Sequence, residues 1–236
     1  MRVGVITFPG TLDDRDAARA VVVGGAEAVS LWHGDANLKG VDAVVLPGGF
    51  SYGDYLRCGA ISRFAPVMQL VIEAANKGMP VLGICNGCQL FMELELINPE
   101  HKVHGKMIHN DSQKHESIFT SVKIQENNSV MLKTLAGATL GVWVSHGEGK
   151  FNLPEAESHY TIVAKYAYEG YPANPNGSDY NTAMMCDKTG RHLVMMPHIE
   201  RSTFPWNWAY YPTDRKDEVS PWIEAFVNAR KWITNK

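Results

Sequence analysis

Short apolar runs alternate with amphipathic stretches over roughly the first hundred residues. "RVGVITF" (2–8) is rich in β-branched residues and is closed by Pro9-Gly10, which predicts a strand. Asp13, Asp14 and Asp16 then open a helix through "AARAVVV", because acidic residues suit a helix's first turn. "AVSLW" (28–32) and "VDAVVLPGG" (41–49) are the next strands, and the second is apolar on both faces, as a central parallel strand covered by helices must be. Phe64, Val67, Met68, Val71, Ile72 and Ala75 recur at helical spacing and predict an amphipathic helix over 63–77, closed by Gly78. "MPVLGI" (79–84) returns as a buried strand and runs into the helical "CQLFMEL".

Strands and helices alternating at this spacing indicate an α/β fold with a doubly wound, mostly parallel sheet and flanking helices. After about residue 100 the pattern loosens into short strands, "SVKI", "LGVWVS", "TIVAKYAY" and "HLVMMP", which read as a small mixed or antiparallel extension in the C-terminal half. Ser220-Pro221 starts a last helix, "PWIEAFVNARKWI", with proline at its first position. No internal repeat, low-complexity tract or linker divides the chain, so 1–236 is expected to be a single domain.

Composition narrows the partners. Hydrophobic residues make up 45% and charged residues 20% of the 236 positions, which argues against disorder. A net charge of −3 leaves no basic excess to drive nucleic-acid or anionic-membrane binding. No signal peptide and no run of roughly 20 apolar residues is found, so a soluble cytoplasmic protein is expected. Cys58, Cys85, Cys88 and Cys186 are too few and too scattered for a disulfide scaffold and suggest a reducing compartment.

The chemistry concentrates at "GICNGCQ" (83–89). Strand, Gly-x-Cys-x-Gly, then helix is the layout of a nucleophile elbow, in which small neighbours permit a strained turn and substrate approach. Cys85 would stand at the carboxyl edge of the sheet, at a helix N-terminus that favours a thiolate. The N–H of Asn86 can form half of an oxyanion hole. Three other readings stay open here: zinc, which lacks further paired ligands, a Cys-x-x-Cys redox pair, and an inert buried cysteine. "VMMPHIE" supplies a base and its orienter, His198 and Glu200, two apart on one side of an extended chain. The Pro47-Gly48-Gly49 turn has bare backbone that can approach a ligand and supply the other half of the oxyanion hole.

These stretches resemble the class I, triad-type glutamine amidotransferases, whose fold is flavodoxin-like. Within them the chain is most similar to the glutaminase branch that serves phosphoribosylformylglycinamidine synthase. "FPGTLDDRD", "LPGGFSYGDYLRCGA", "GICNGCQ", "NDS", "SHGEGKF", "NPNGS" and "MMPHIER" carry the likeness nearly end to end. The resemblance implies Cys85 as nucleophile, His198 as base and Glu200 as its orienter. It further implies that Gln89 contacts bound L-glutamine and that Gly49 and Asn86 bind the oxyanion. Gly48 and the Ser145-His146-Gly147 turn would hold the substrate. No metal and no cofactor are expected in this chain. ATP and Mg2+ would belong to a synthetase partner, with or without a small accessory subunit, since no phosphate-binding loop is present. Three positions depart from the family's usual motifs: Ile199, Cys88, and "GTLDD", where G-[ST]-N-x-D is more usual. Rivals are a cysteine hydrolase of the related α/β group, a glutaminase of another synthetase, and an inactive structural subunit. Asp54, Arg57, Asn110 and Lys150 are left open between contacts to substrate or partner and solvated loop roles.

Overall fold

The β-branched runs pair as their burial requires. In the computed structural model, which describes residues 1–56 and 58–235, β1 (Arg2–Thr7), β2 (Glu27–Trp32), β3 (Ala43–Leu46) and β4 (Val81–Ile84) form parallel pairs. β3 and β4 are buried at every residue, as strands covered on both faces are. The intervening helices are α1 (Asp14–Val23), α2 (Pro66–Asn76) and α3 (Asn86–Glu93), and α4 (Ile223–Thr234) packs on α1. Arg57 lies outside the described residues.

The C-terminal half continues the same sheet. Its strands are β5 (Lys106–Ile108), β6 (Glu116–Ile124), β7 (Thr139–His146), β8 (Lys150–Asn152), β9 (Thr161–Tyr166), β10 (Thr182–Cys186) and β11 (His192–Met195). One sheet runs β2-β1-β3-β4-β11-β10-β9-β6-β7, and β5 pairs β8 separately. β11 lies parallel to β4 and antiparallel to β10, so it is the seam between the two halves. "HLVMMP" therefore belongs to the parallel core and not to the extension. The remaining pairs, β10·β9, β9·β6 and β6·β7, are antiparallel as expected.

Two helix boundaries differ from the sequence pattern. The helix expected over 63–77 begins at Pro66, because the residue before a proline is pushed out of the helical region and Ala65 is extended (φ −62, ψ 139). Phe64, counted on its apolar face, sits in a preceding 3-10 turn and is 75% exposed. Val67, Met68, Val71 and Ala75 do face the core, and full burial of a Val or Met side chain is worth about 1.5–3 kcal/mol. The last helix begins at Ile223, after a turn over Pro221 and Trp222. Among the described residues no helix is long and apolar enough to cross a membrane.

Parallel strands point their carboxyl ends the same way. The turns after β1, β3, β4 and β11 thus converge on one edge, around the switch where the chain leaves β1 for β2 on one side and β3 on the other. β7, at the far end of the sheet, curls back to the same place: Trp143 bridges His198, whose N–H donates to the Trp143 carbonyl over 2.8 Å.

Candidate active site

Gly83 and Gly87 allow the turn at the end of β4. A Cβ at Gly87 would collide with the carbonyl oxygen of Leu46, and one at Gly83 would lie 2.8 Å from the Gly87 carbonyl oxygen. Between them Cys85 takes φ 51, ψ −107, a region that costs a non-glycine residue about 1–3 kcal/mol and that marks strained functional turns. Cys85 is the N-cap of α3 and faces a cavity of about 410 Å³. Cys88, one turn further, is fully buried in the core, and burial pushes its thiol well up. The two cysteines of the Cys-x-x-Cys spacing therefore stand in different surroundings, Cys85 at the cavity and Cys88 in the core.

His198 and Glu200 follow β11. Nδ1 of His198 donates to Glu200 Oε1 over 2.6 Å, and both residues are buried. Cys85 Sγ lies within 4.8 Å of a ring nitrogen of His198 and of His146. Among the described residues Nε2 of His198 has no partner at hydrogen-bond distance, and the thiol's own contact is the Ser145 carbonyl at 3.9 Å. Burial by itself would keep His198 neutral, but the Glu200 carboxylate and then Cys85 outweigh it and raise its pKa well above the ordinary histidine value. His146 stacks on it with ring centroids 5.5 Å apart, and burial followed by the His198 charge drives its pKa well down.

The glycine turn after β3 closes the opposite wall. A Cβ at Gly48 would collide with the Asp13 carboxylate and would lie 2.7 Å from His198 Cε1. The N–H groups of Gly49 and Asn86 donate to no acceptor among the described residues, which leaves both free for an oxyanion. Gly49, Gln89, Ser145, His146 and Gly147 line the cavity with Cys85 and His198, while Gly48, Asn86 and Glu200 stand behind that lining. Gln89 is engaged on both ends of its amide: Asn86 Nδ2 donates to its Oε1 over 3.1 Å, and its Nε2 donates to the Glu148 carbonyl over 2.8 Å. Ser51 Oγ donates to Asn86 Oδ1 at 2.5 Å, extending the chain of bonds back to the glycine turn.

Asn110, left open by the sequence, is fully buried and braces the 146–149 turn that lines the cavity. Its Nδ2 donates to the His146 carbonyl over 2.6 Å, its Oδ1 accepts from Gly149 N–H at 2.9 Å, and its N–H donates to the Gly147 carbonyl over 3.0 Å. Asn176 of "NPNGS" donates to His146 Nδ1 over 3.0 Å, and a Cβ at Gly149 would collide with its amide. The motifs "NDS", "SHGEGKF" and "NPNGS" thus interlock. Lys150 pairs with Asp111 at 2.7 Å at the edge of that lattice. Asp54 and Cys58 line the cavity, with Cys58 Sγ donating to Asp54 over 3.2 Å. Burial pushes the Cys58 thiol up, as it does the Asp54 carboxyl.

Sequence reasoning missed Asp13, Glu148 and Arg201, which also line the cavity. Asp13 carried a signal only as one acid among three at a helix start, and Glu148 only as the carboxylate two residues after His146, a second spacing of the His198–Glu200 kind.

A strained cysteine facing a histidine–glutamate pair across free backbone N–H groups is equipped for acyl transfer. A family model described as the CobB/CobQ-like glutamine amidotransferase domain matches residues 1–233. The chain belongs to this glutamine amidotransferase family. Among its relatives, a protein of Rhodococcus jostii named phosphoribosylformylglycinamidine synthase subunit PurQ is 49% identical over 208 residues, covering 86% of this chain and 88% of that protein. The protein of the same name from Corynebacterium glutamicum is 48% identical, covering 85% and 88%. The solved structure described as PurLQS from Thermotoga maritima superposes with a TM-score of 0.81 at 26% identity, covering 98% of each chain. A second solved structure from Thermotoga maritima, described as a glutamine amidotransferase, shares the fold with a TM-score of 0.55 at 20% identity, covering 85% of this chain and 76% of that one.

Proposed function

We propose that this chain is the glutaminase subunit of a phosphoribosylformylglycinamidine synthase, hydrolysing L-glutamine and delivering ammonia to a synthetase subunit for purine biosynthesis in the cytoplasm. The observation that carries the reading is the strained Cys85 set against the His198–Glu200 pair at the mouth of one cavity. Relatives named as this subunit, nearly half identical over most of both chains, support the choice of synthetase.

The thiolate of Cys85 attacks the glutamine carboxamide carbon, and the carbonyl oxygen takes the negative charge. The N–H groups of Gly49 and Asn86 receive that charge. The His198 imidazolium gives its proton to the departing nitrogen, so ammonia leaves and a γ-glutamyl thioester remains. Neutral His198 then takes a proton from water. The hydroxide adds to the thioester, and collapse releases glutamate with the Cys85 thiolate and His198 imidazolium restored. Glu200 holds Nδ1–H, which turns Nε2 toward the thiol. Gln89 and the Ser145-His146-Gly147 turn hold the substrate, and Gly48, behind the cavity lining, supports that site from the glycine turn. ATP and Mg2+ would belong to the synthetase partner, with or without a small accessory subunit.

The test is synthesis in the reconstituted complex. A Cys85→Ala chain is expected to lose glutamine-dependent amidine formation and to keep ammonia-dependent formation. Retained glutamine-dependent synthesis would sink the assignment.

A further inference from the structure

Asp13 occupies the N-cap of α1, where an aspartate ordinarily accepts from the free N–H groups of the first turn. Its side chain makes no such bond. It is nonetheless only 7% exposed, and a carboxylate is not taken from water without a partner. The partner is His198: Asp13 Oδ2 stands 3.5 Å from Nδ1, the nitrogen that already meets Glu200 Oε1 at 2.6 Å. Gly48, which has no Cβ to collide with this carboxylate, makes the approach possible. In "GTLDD" the residue falls at the position that the more usual G-[ST]-N-x-D leaves unspecified.

We propose that Asp13 is a second carboxylate of the active site, a positioning residue that shares His198 with Glu200 and holds its imidazolium form until ammonia departs. This role presupposes that the chain hydrolyses glutamine. At 3.5 Å the contact is too long for a good hydrogen bond to the shared nitrogen, so Asp13 acts by charge while Glu200 fixes the tautomer. The charged and titratable groups around His198 come from four places. Glu200 and Arg201 follow β11, Asp13 starts α1, Cys85 ends β4, and His146 ends β7. Arg201 Nε is 3.9 Å from Asp13 Oδ1 and opposes its effect on the ring. Burial pushes the Asp13 carboxyl up and the His198 charge pulls it back, so the two groups titrate as a pair.

The experiment is the pH profile of kcat/KM for glutamine in the reconstituted complex, beside the pH profile of Cys85 alkylation by iodoacetamide. The descending limb reports loss of the imidazolium proton. Removing a nearby negative charge destabilises the imidazolium, so Asp13→Asn is expected to move that limb to lower pH by at least about half a unit. Arg201→Gln keeps Asp13 and removes the opposing cation, so it is expected to move the limb the other way, and it serves equally if Asp13→Asn does not fold. A rate that falls in Asp13→Asn with both limbs unmoved, or an Arg201→Gln shift in the same direction as the aspartate's, overturns the role. If the wild-type complex hydrolyses no glutamine at any pH, the glutaminase reading fails instead, and the alkylation profiles alone decide on Asp13.

Discussion

At the scale of residues, the site is a set of ionisable groups taken from water and made to balance one another. His198 is fully buried, yet its charged form is favoured, because Glu200 and Cys85 stand against it. The sign follows directly. The proton needed by departing ammonia stays on the ring above the ordinary histidine value of 6.5 and is lost only as pH rises through the raised pKa. Glutaminase activity is therefore expected to hold through neutral pH, with a descending limb well above pH 6.5 that moves to lower pH in the Glu200→Gln chain. A limb at or below 6.5 in wild type would contradict the coupling. Removal of the nucleophile belongs to the same scale: Cys85→Ala is expected to lower glutamine hydrolysis by at least about 10⁴-fold, read by glutamate release, since triad members act as a unit. The sequence named these three residues but not Asp13 or Arg201, whose importance arises from what lies across the cavity and not from their neighbours in the chain.

Elements supply the tolerances. α3 begins inside the core, with Asn86 to Met92 all buried, and it can approach β3 only because Gly87 has no side chain. Gly87→Ala must displace the helix or the Leu46 peptide, so it is expected to destabilise the protein by about 1–3 kcal/mol, read by thermal or denaturant unfolding, and to lose activity with Cys85 out of place. The turn at 146–149 depends on Asn110 in a different way. Asn110→Ala strands the buried His146 carbonyl and Gly149 N–H, each costing about 1–3 kcal/mol. Its kinetic signature is expected to be a raised KM for glutamine more than a lowered kcat, because the turn lines the cavity and leaves Cys85 at the start of α3. In the first hundred residues strand and helix positions were legible in the apolar pattern to within a few residues, whereas β5, β8 and β10 were not read from it and "SVKI" marked only the end of β6. The start of α2 was not legible either, since Phe64 fits the helical spacing while Pro66 forbids the turn before it.

For the molecule as a whole, the triad is assembled but not closed: among the described residues Nε2 of His198 has no partner at hydrogen-bond distance, and Cys85 Sγ makes its contact with the Ser145 carbonyl. Closing a nucleophile–base contact of this kind is a small movement. Adding the synthetase partner is therefore expected to raise the glutaminase kcat of the chain by tenfold or more, equivalent to about 1.4 kcal/mol of barrier, in a side-by-side assay with and without it. Equal rates would mean that the open geometry is already the working one. The sequence by itself determined the α/β class, the elbow at Cys85 and the histidine–glutamate pair, because these rest on local spacing, on glycine freedom and on alternation along one strand. Only the tertiary structure decided that β11 joins the parallel core beside β4, which is what sets His198 opposite Cys85. It alone decided that β7 curls back to stack His146 on His198, and that Asp13 turns from its helix to the same ring. These are contacts between residues far apart in the chain, fixed by strand order and burial, and no short stretch of sequence contains them.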